Sequence, residues 1–274
     1  MEDITEGDET MTISACIMAR DEANLVNECL ASVVPNVDEV IFFDTGSVDF
    51  TVEIAASFGE KVKIFHESWG DDFGGMRTKT LEKASGDWIL VIDADERIAD
   101  VEKFKELVEY LPREKPNVVG YKVGISNDVY DGTVVEDKQV RIFRNRMGFR
   151  YINPIHNQLL IRGGIADISG VVKFRHLGYN LSPERMREKY LARILILEKE
   201  KAKDLKNPMT RLFLSKMYIQ GKEYDLAKKE AEEGIEILKG IQGFEFKGTP
   251  FMELFDVLKI ERREADGRKS GNLG

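Results

Sequence analysis

Apolar runs alternate with amphipathic stretches along the first part of the chain. Four runs are long enough for buried strands, and the first three are each followed by residues with helical spacing. The runs cover residues 12–19, 39–44, 61–68 and 88–92. Strand and helix in alternation predict an α/β fold, with a mostly parallel sheet flanked by helices.

The pattern changes in the middle of the chain. After a predicted helix near 101–111, shorter segments alternate with the period of a strand, which predicts a mixed extension of the sheet. These segments cover residues 117–125, 138–145, 157–164 and 168–179. Earlier, the glycine-rich stretch DDFGGM (71–76) reads either as a plain connecting loop or as a mobile segment that closes over a site, before a helix that begins near Arg77.

The last third of the chain is predicted to be helical. Ser182 is a typical N-cap with Pro183 at the first helical position. Two further helices joined by GKEYD (221–225) have the spacing of one tetratricopeptide repeat, although such arrays need about three copies. We expect a disordered tail at 1–10, a sheet domain at 11–180, a small all-α extension at 181–264 and a tail at 265–274.

Carboxylates follow the fourth apolar run without a break. Asp93, Asp95 and Glu96 come directly after Trp88–Ile92, although like charges at one strand end repel one another. Asp93 and Asp95 form a D-x-D pair that can bind one hard cation, Mg²⁺ or Mn²⁺, which in turn binds substrate phosphates. The alternative is that the acidic residues only cap the next helix. Polar residues at the other predicted strand ends favour a ligand site, because open α/β sheets bind ligands at that edge.

Four segments in this order resemble the family 2 glycosyltransferases of the GT-A fold, which is Rossmann-like. They are ACIMARDEANLVNECLASV, DEVIFFDTGSVDFT, MRTKTLEKASGDWILVIDADE and FRHLGY. The chain is most similar to bacterial and phage members with tetratricopeptide helices, which include transferases that glycosylate bacteriocin peptides. The resemblance covers roughly residues 11–240 and implies a metal-dependent, inverting transfer of a sugar from a UDP-sugar, with UDP-glucose or a UDP-N-acetylhexosamine expected as donor.

The resemblance also implies residue roles. Uridine, ribose and diphosphate contacts fall on one set of residues: Ala19, Arg20, Glu22, Asp44, Arg77, Asp93, Ala94 and Asp95. The implied ligands of Mn²⁺ or Mg²⁺ are Asp95, Asp93 and His176. His66 lies in none of these family motifs, and we interpret it as a structural residue.

The general base is where this chain departs from the family pattern. Relatives often have His-Glu where this chain has His156 and Asn157, and an amide is no general base. Asp137 and Glu136 are the candidates for the base, against the alternative that both lie on a solvated face. A thiol acceptor would need a base less, because its thiolate is accessible near neutral pH.

Composition narrows the partners. Of 274 residues, 40 are Lys or Arg and 49 are Asp or Glu, and the resulting net charge of −9 argues against nucleic acid or an anionic membrane as partner. No apolar run approaches the ~20 residues that span a bilayer, and the acidic N-terminus differs from a signal peptide, so a cytoplasmic protein is expected. Cys16 and Cys29, without CxxC spacing, are expected to be buried thiols.

Two other functions are considered. A catalytically silent GT-A module could present its helical hairpin to a partner, and the missing carboxylate at Asn157 favours this alternative. A nucleotidyltransferase is disfavoured because IMARDEAN lacks the glycine-rich phosphate loop. The helical hairpin favours a peptide or protein acceptor, and an exposed apolar hairpin could form a homodimer; a glycan, a lipid-linked glycan and a modified base remain possible acceptors.

Overall fold

The computed structural model describes residues 11–111 and 117–259, which divide into two compact units. The first unit contains the described residues up to 153 together with 157–181, and the second contains 154–156 and the described residues from 182 onward. The predicted tails at 1–10 and 265–274, and the end of the predicted extension at 264, lie outside the described residues.

The elements of the first unit are named in chain order. Its helices are α1 (Val26–Val33), α2 (Thr51–Ser57), α3 (Phe73–Lys83) and α4 (Val101–Glu109). Its strands are β1 (Ile13–Ala19), β2 (Glu39–Asp44), β3 (Val62–His66), β4 (Trp88–Val91), β5 (Glu96–Ile98), β6 (Val118–Asp128), β7 (Val134–Arg144), β8 (Arg150–Ile152), β9 (Gln158–Leu160), β10 (Gly164–Asp167) and β11 (Lys173–His176).

One large mixed sheet organises this unit. Its order is β3-β2-β1-β4-β7-β6-β11-β5, with β10 paired to β6. The first four strands in this order are parallel, and β7 enters antiparallel between β4 and β6. The predicted mixed extension of a parallel sheet is therefore confirmed. Because β1, β4, β6 and β11 run in the same direction, their carboxyl ends meet at one edge.

Apolar side chains fill both faces of the sheet. One core contains Ile13, Phe42, Trp88, Phe104 and Phe174, and the other contains Ile41, Phe43, Met76, Ile89 and Phe143. Burial on both faces explains why β1, β2 and β4 read as continuous apolar runs rather than as alternating ones. Both cysteines are free and buried, as expected.

The glycine-rich stretch 71–76 corrects one expectation. Helix α3 begins at Phe73 rather than near Arg77, because the Asp72 side chain accepts a hydrogen bond from the Gly75 amide at 2.8 Å and caps the helix. Gly74 is required by packing, since a Cβ there would lie 2.6 Å from the Asn153 carbonyl oxygen. These glycines therefore lie in the first turn of α3, and Gly74 packs against the backbone of residues 152–153.

The second unit is helical. It contains α5 (Pro183–Lys203), α6 (Pro208–Gln220), α7 (Tyr224–Lys239) and a last helix over 252–259. Ser182 caps α5 with Pro183 at its first position, as the sequence predicts. Between α6 and α7, Arg211 forms a buried ion pair with Glu230 at 2.6 Å. Across the described residues, no helix combines the length and hydropathy that crossing a membrane requires.

Candidate functional site

Two loops at the carboxyl edge of the sheet bind each other tightly. Backbone amides of the loop after β1 donate hydrogen bonds to side chains that follow β2. In the other direction, one backbone amide after β2 donates to a side chain of the first loop. The contacts are Asp21 N to Ser47 Oγ (3.0 Å), Glu22 N to Thr51 Oγ1 (2.8 Å), Ala23 N to Asp49 Oδ2 (3.1 Å) and Val48 N to Asp21 Oδ1 (2.8 Å). This frame fixes the backbone at Asp21, Glu22 and Ala23, which follow Ala19 and Arg20 in the predicted donor-binding turn.

Asp44 ends β2 as a buried carboxylate. It accepts the Ser47 amide at 3.0 Å, and His66 Nδ1 at the end of β3 lies 3.2 Å from its Oδ2. Burial alone would raise the pKa of Asp44, but hydrogen bonds from Ser47, His66 and Gly46 outweigh burial and lower it. Asp44 is therefore an ionised acceptor at the predicted nucleoside position, with His66 beside it.

Two arginines enclose Asp93. Arg77 Nη2, from α3, hydrogen bonds one oxygen of its carboxylate, and Arg141 Nη2, from β7, lies 3.5 Å from the other. Burial would raise the pKa of Asp93, but the charges of Arg77 and Arg141 outweigh burial and lower it. Asp93, the first carboxylate of the D-x-D pair, is thus held by two fixed cations.

Arg141 also pairs with Glu96, and this ion pair is more deeply buried than the pair of Arg77 with Asp93. Arg141 Nη2 is 2.7 Å from Glu96 Oε1, and Glu96 Oε2 accepts the Asp93 amide at 2.9 Å. Burial raises the pKa of Glu96 to about 7, Arg141 opposes that rise and Asp93 adds to it. Arg141 is not among the residues predicted for the site, although its position within the predicted strand 138–145 could have signalled it.

Asp95 faces His176, the residue at the end of β11. His176 Nε2 is 3.2 Å from Asp95 Oδ2, while Nδ1 is 2.8 Å from Asn127 Oδ1. The Asn127 amide nitrogen donates to the Val135 carbonyl at 2.9 Å, which fixes its oxygen toward the imidazole. Nδ1 therefore carries a proton, and the remaining ring nitrogen faces a carboxylate.

This geometry fits a bound divalent cation. A neutral imidazole would direct its Nε2 lone pair at the Asp95 carboxylate, and either a proton or a metal ion between the two relieves that contact. A metal-ligating histidine usually donates its other N–H to an oxygen, as His176 does to Asn127. Within 11–111 and 117–259, no three His, Cys, Asp or Glu side chains could hold an ion by themselves. Substrate phosphates and water would complete the shell, as Mg²⁺ and Mn²⁺ allow.

The turn after β11 closes on the same carboxylate. The Leu177 amide donates to the Asp95 carbonyl at 2.9 Å, and the Tyr179 ring packs edge-on against His176 at 4.6 Å. A Cβ at Gly178 would lie 1.8 Å from Asp95 Oδ2 and 2.7 Å from His176 Nε2. The HLGY segment is therefore shaped around Asp95, with a glycine where no side chain fits.

The other predicted residues occupy different positions. Ala94 is buried in the acidic turn, whereas Arg20 is exposed and lies 3.8 Å from Asp21. Glu136 accepts the Ser126 hydroxyl at 2.8 Å and lies 3.5 Å from Lys173 Nζ. Asp137, the next residue on β7, is exposed and accepts a hydrogen bond from Nε2 of the Gln139 side chain at 2.9 Å.

His156 belongs to the helical unit. Its ring stacks on Phe213 of α6 with centroids 4.3 Å apart. Burial lowers the pKa of His156 to about 4, with Arg193 and Lys216 adding to that effect. Its partners in the structure therefore come from the helices, while Asn157 is counted with the sheet unit.

Comparison with known proteins identifies relatives of this chain. A sequence profile of the family described as "Glycosyl transferase family 2" matches residues 14–170. A TPR repeat-containing protein of Synechococcus elongatus is 41% identical over 144 residues, which is 53% of this chain and 34% of that protein. The SPbeta prophage-derived glycosyltransferase SunS of Bacillus subtilis is 27% identical over 241 residues, covering 85% of this chain and 54% of SunS. The chain thus spans about a third to about half of the length of these relatives.

A solved structure shares the fold. A fragment of TarS from S. aureus, crystallised with UDP-GlcNAc, has a TM-score of 0.51 at 16% identity, and the match covers 83% of this chain and 80% of the fragment. At this identity the likeness concerns the fold alone. It agrees with a GT-A sheet unit followed by helices, as the sequence predicts.

Proposed function

The chain belongs to glycosyl transferase family 2, and from this membership we propose that it transfers a sugar from a UDP-sugar to an acceptor in a reaction that depends on Mn²⁺ or Mg²⁺. The observation that carries the proposal is the contact between His176 Nε2 and Asp95 Oδ2 at the carboxyl edge of the sheet. TarS, which shares the fold, was crystallised with UDP-GlcNAc. UDP-glucose and UDP-N-acetylhexosamines are the donors we would test first.

The uridine is proposed to lie along the turn after β1. The amides of Asp21, Glu22 and Ala23 are held by the next loop, which keeps this turn rigid. Asp44, ionised and fixed by Ser47, can accept hydrogen bonds from the uracil or the ribose. Rigid positioning of this kind reduces the entropy lost when the donor binds.

The diphosphate is proposed to lie between Arg77 and the pair formed by Asp95 and His176. Asp95 and His176 would hold the cation, which supplies positive charge opposite the leaving nucleoside diphosphate. Asp93 holds the Arg77 guanidinium by a charge-assisted hydrogen bond, so this fixed charge lies at the same strand end. Contact of Asp93 with the ribose or the cation stays a prediction.

Inverting transfer requires a base beside the acceptor hydroxyl. Asp137 and Glu136 remain the proposed bases. Glu136 contacts Ser126 and Lys173, and Asp137 accepts hydrogen bonds from the Lys138 amide and the Gln139 side chain. We propose a peptide or protein side chain as acceptor. A thiol acceptor would place less demand on this base.

Isothermal titration of UDP with and without Mn²⁺ tests the proposal. We expect binding that depends on Mn²⁺ in the wild type and in Glu109→Gln, an exposed control on α4, and its loss in Asp95→Asn. A UDP affinity that is the same with and without Mn²⁺, and the same in Asp95→Asn as in the wild type, would refute the metal-dependent function.

A catalytically silent module is the second candidate. Asn157, which has no carboxylate, and the engagement of Glu136 by Lys173 favour it. Steady release of UDP from a UDP-sugar in the presence of any acceptor would eliminate this alternative.

A further inference from the structure

One edge of β7 is open beside the acidic turn. On one side, β6 pairs with β7 from Phe143 down to Val134. On the other side, β4 pairs only with Arg144, Phe143 and Ile142. In the described part of the chain, residues 134–140 therefore have a neighbouring strand on one side only. Every residue from 131 to 139 is exposed, so the described segments of the sheet unit leave this edge uncovered.

The pairing pattern shows which backbone groups face the open side. At the hairpin end, the Val129 amide donates to the Thr133 carbonyl at 2.9 Å. Hydrogen-bonded and non-hydrogen-bonded pairs alternate from there along an antiparallel ladder. Val134, Glu136 and Lys138 therefore point their N–H and C=O groups away from β6.

Two contacts agree with this assignment. Gly124, which lies opposite Lys138 in the register, donates its amide at 3.0 Å to Val172, on the side of β6 away from β7. The Lys138 amide is bound by the carboxylate of Asp137 at 2.7 Å and not by β6. A side chain thus occupies one of the donors that a further strand would use.

The open edge begins where the acidic turn leaves the sheet. Leu90 of β4 lies opposite Ile142 of β7. Asp93, three residues after Leu90, therefore lies next to the first residues of β7 that have no partner strand on the β4 side. At the other end of the edge, Val134, Tyr130 and Arg175 line a cavity of about 320 Å³. A segment bound along β7 would pass the D-x-D turn at one end and this cavity at the other.

An extended peptide matches this edge better than a second copy of the chain. Unpaired backbone donors and acceptors in alternation are satisfied by another backbone in β conformation. Two of the antiparallel registers open to a second copy, those centred on Glu136 and on Asp137, would place identical carboxylates opposite each other, which is unfavourable. A peptide rich in neutral or basic residues avoids that repulsion.

We propose that the acceptor is an extended peptide that docks as an additional strand on residues 134–140 of β7. This inference rests on the proposed glycosyl transfer to a peptide and adds where and in which conformation that peptide binds. Side chains of the peptide would alternate between the two faces of the sheet, so one set is presented for transfer while the other set carries recognition.

Transfer to synthetic peptides tests the docking mode. Short peptides with a central Ser, Thr or Cys in randomised surroundings are incubated with radiolabelled UDP-glucose and UDP-GlcNAc, and the best substrate is resynthesised with alternate amides N-methylated. Val134→Pro and Lys138→Pro each remove an outward N–H without breaking the β6 ladder. Val134→Ala and Lys138→Ala are the matched controls, because they change the same side chains and keep the amides.

We expect N-methylation and each proline substitution to raise the KM for the peptide by about tenfold, as loss of backbone hydrogen bonds does. The KM for the UDP-sugar and calorimetric UDP binding should stay unchanged, each variant should keep a cooperative melting transition, and the alanine controls should keep the wild-type KM for the peptide. Intact Mn²⁺-dependent UDP binding with no labelled peptide, or a peptide KM that is indifferent to proline and N-methylation, overturns the inference while the proposed function stands. A change of oligomeric state in Lys138→Pro identifies a second copy as the occupant and also overturns it.

Discussion

The guanidinium of Arg141 lies 2.7 Å from the carboxylate of Glu96, and both side chains are buried. Glu96 in turn accepts the amide of Asp93, so this pair supports the first residue of the D-x-D turn from behind. Substituting Arg141→Met removes the cation that pairs with Glu96 and Asp93, so Glu96 must take up a proton or stay charged without a partner in the buried site. We expect the free energy of unfolding to fall by about 3–5 kcal/mol, measured by urea denaturation.

The double variant Arg141→Met, Glu96→Gln provides the control. A neutral amide can still accept the Asp93 N–H, and no isolated charge stays buried, so most of the lost stability should return. We expect donor binding to be weaker than in the wild type in both variants, because Asp93 lacks the charge of Arg141 in each. A double variant as unstable as Arg141→Met alone would show that the ion pair is not the cause.

Asn127 orients the imidazole of His176, and this role can be separated from stability. Asn127→Leu keeps the number of side-chain heavy atoms but removes the oxygen that accepts the proton of Nδ1, together with the amide group that donates to the Val135 carbonyl. Loss of such an outer partner lowers metal affinity by about 10–100-fold. The Kd of Mn²⁺ in the presence of UDP, followed by electron paramagnetic resonance, should rise by that factor.

Ser126→Ala is the matched control for Asn127→Leu. Ser126 is the adjacent residue on β6, and its hydroxyl bonds Glu136 rather than His176. Unchanged Mn²⁺ affinity in Asn127→Leu would mean that the amide does not position the imidazole.

Glu39 connects strand β2 to its neighbours at the opposite edge of the sheet. Its carboxylate is buried and accepts hydrogen bonds from Lys63 (2.6 Å), Ser14 (2.6 Å) and the Ser85 amide (2.6 Å). Burial would raise the pKa of Glu39, but these bonds outweigh burial and lower it from 4.5 to about 2. Because the folded pKa lies below the unfolded one, Glu39 contributes stability above pH 4.5 that is lost as the pH falls toward 2.

At 1.36 kcal/mol per pKa unit, we expect the lowered pKa of Glu39 to contribute about 3 kcal/mol of stability at neutral pH. Urea denaturation at a series of pH values should show this loss in the wild type. Glu39→Gln should be less stable at neutral pH and should show a correspondingly smaller decline in acid. An equal decline in both proteins would assign the acid sensitivity to other groups.

The sequence predicts the parallel part of the sheet well because burial on both faces leaves continuous apolar runs in β1, β2 and β4. The contact of Asp95 with His176 joins two residues expected together only through the family resemblance, since they are 81 positions apart in the chain. Local spacing carries no information about partners at that separation.

Arg141 escaped prediction for a specific reason. The pairing of β6 with β7 shifts between Tyr121 and Lys122, and Arg141 is the extra residue on β7 at this irregularity. A bulge redirects a side chain from its alternating position, so the strand period could not assign Arg141 to the acidic turn. The start of α3 was not predicted because glycine usually signals a loop. In the structure, the Asp72 cap and the close approach of Asn153 to Gly74 fix the first turn of the helix at Phe73.

Gly178 provides the sharpest test of the proposed cation site. A Cβ at this position would lie 1.8 Å from Asp95 Oδ2, so Gly178→Ala must displace the carboxylate or the HLGY turn. A misplacement of about 1 Å at a reacting centre costs about 100-fold in activity. We expect UDP-sugar turnover and Mn²⁺-dependent UDP binding to fall together, measured by UDP release and by calorimetry. Gly170→Ala is the control, because a Cβ there meets nothing within 4 Å. If Gly178→Ala binds Mn²⁺ and UDP as tightly as Gly170→Ala does, Asp95 does not hold the ion.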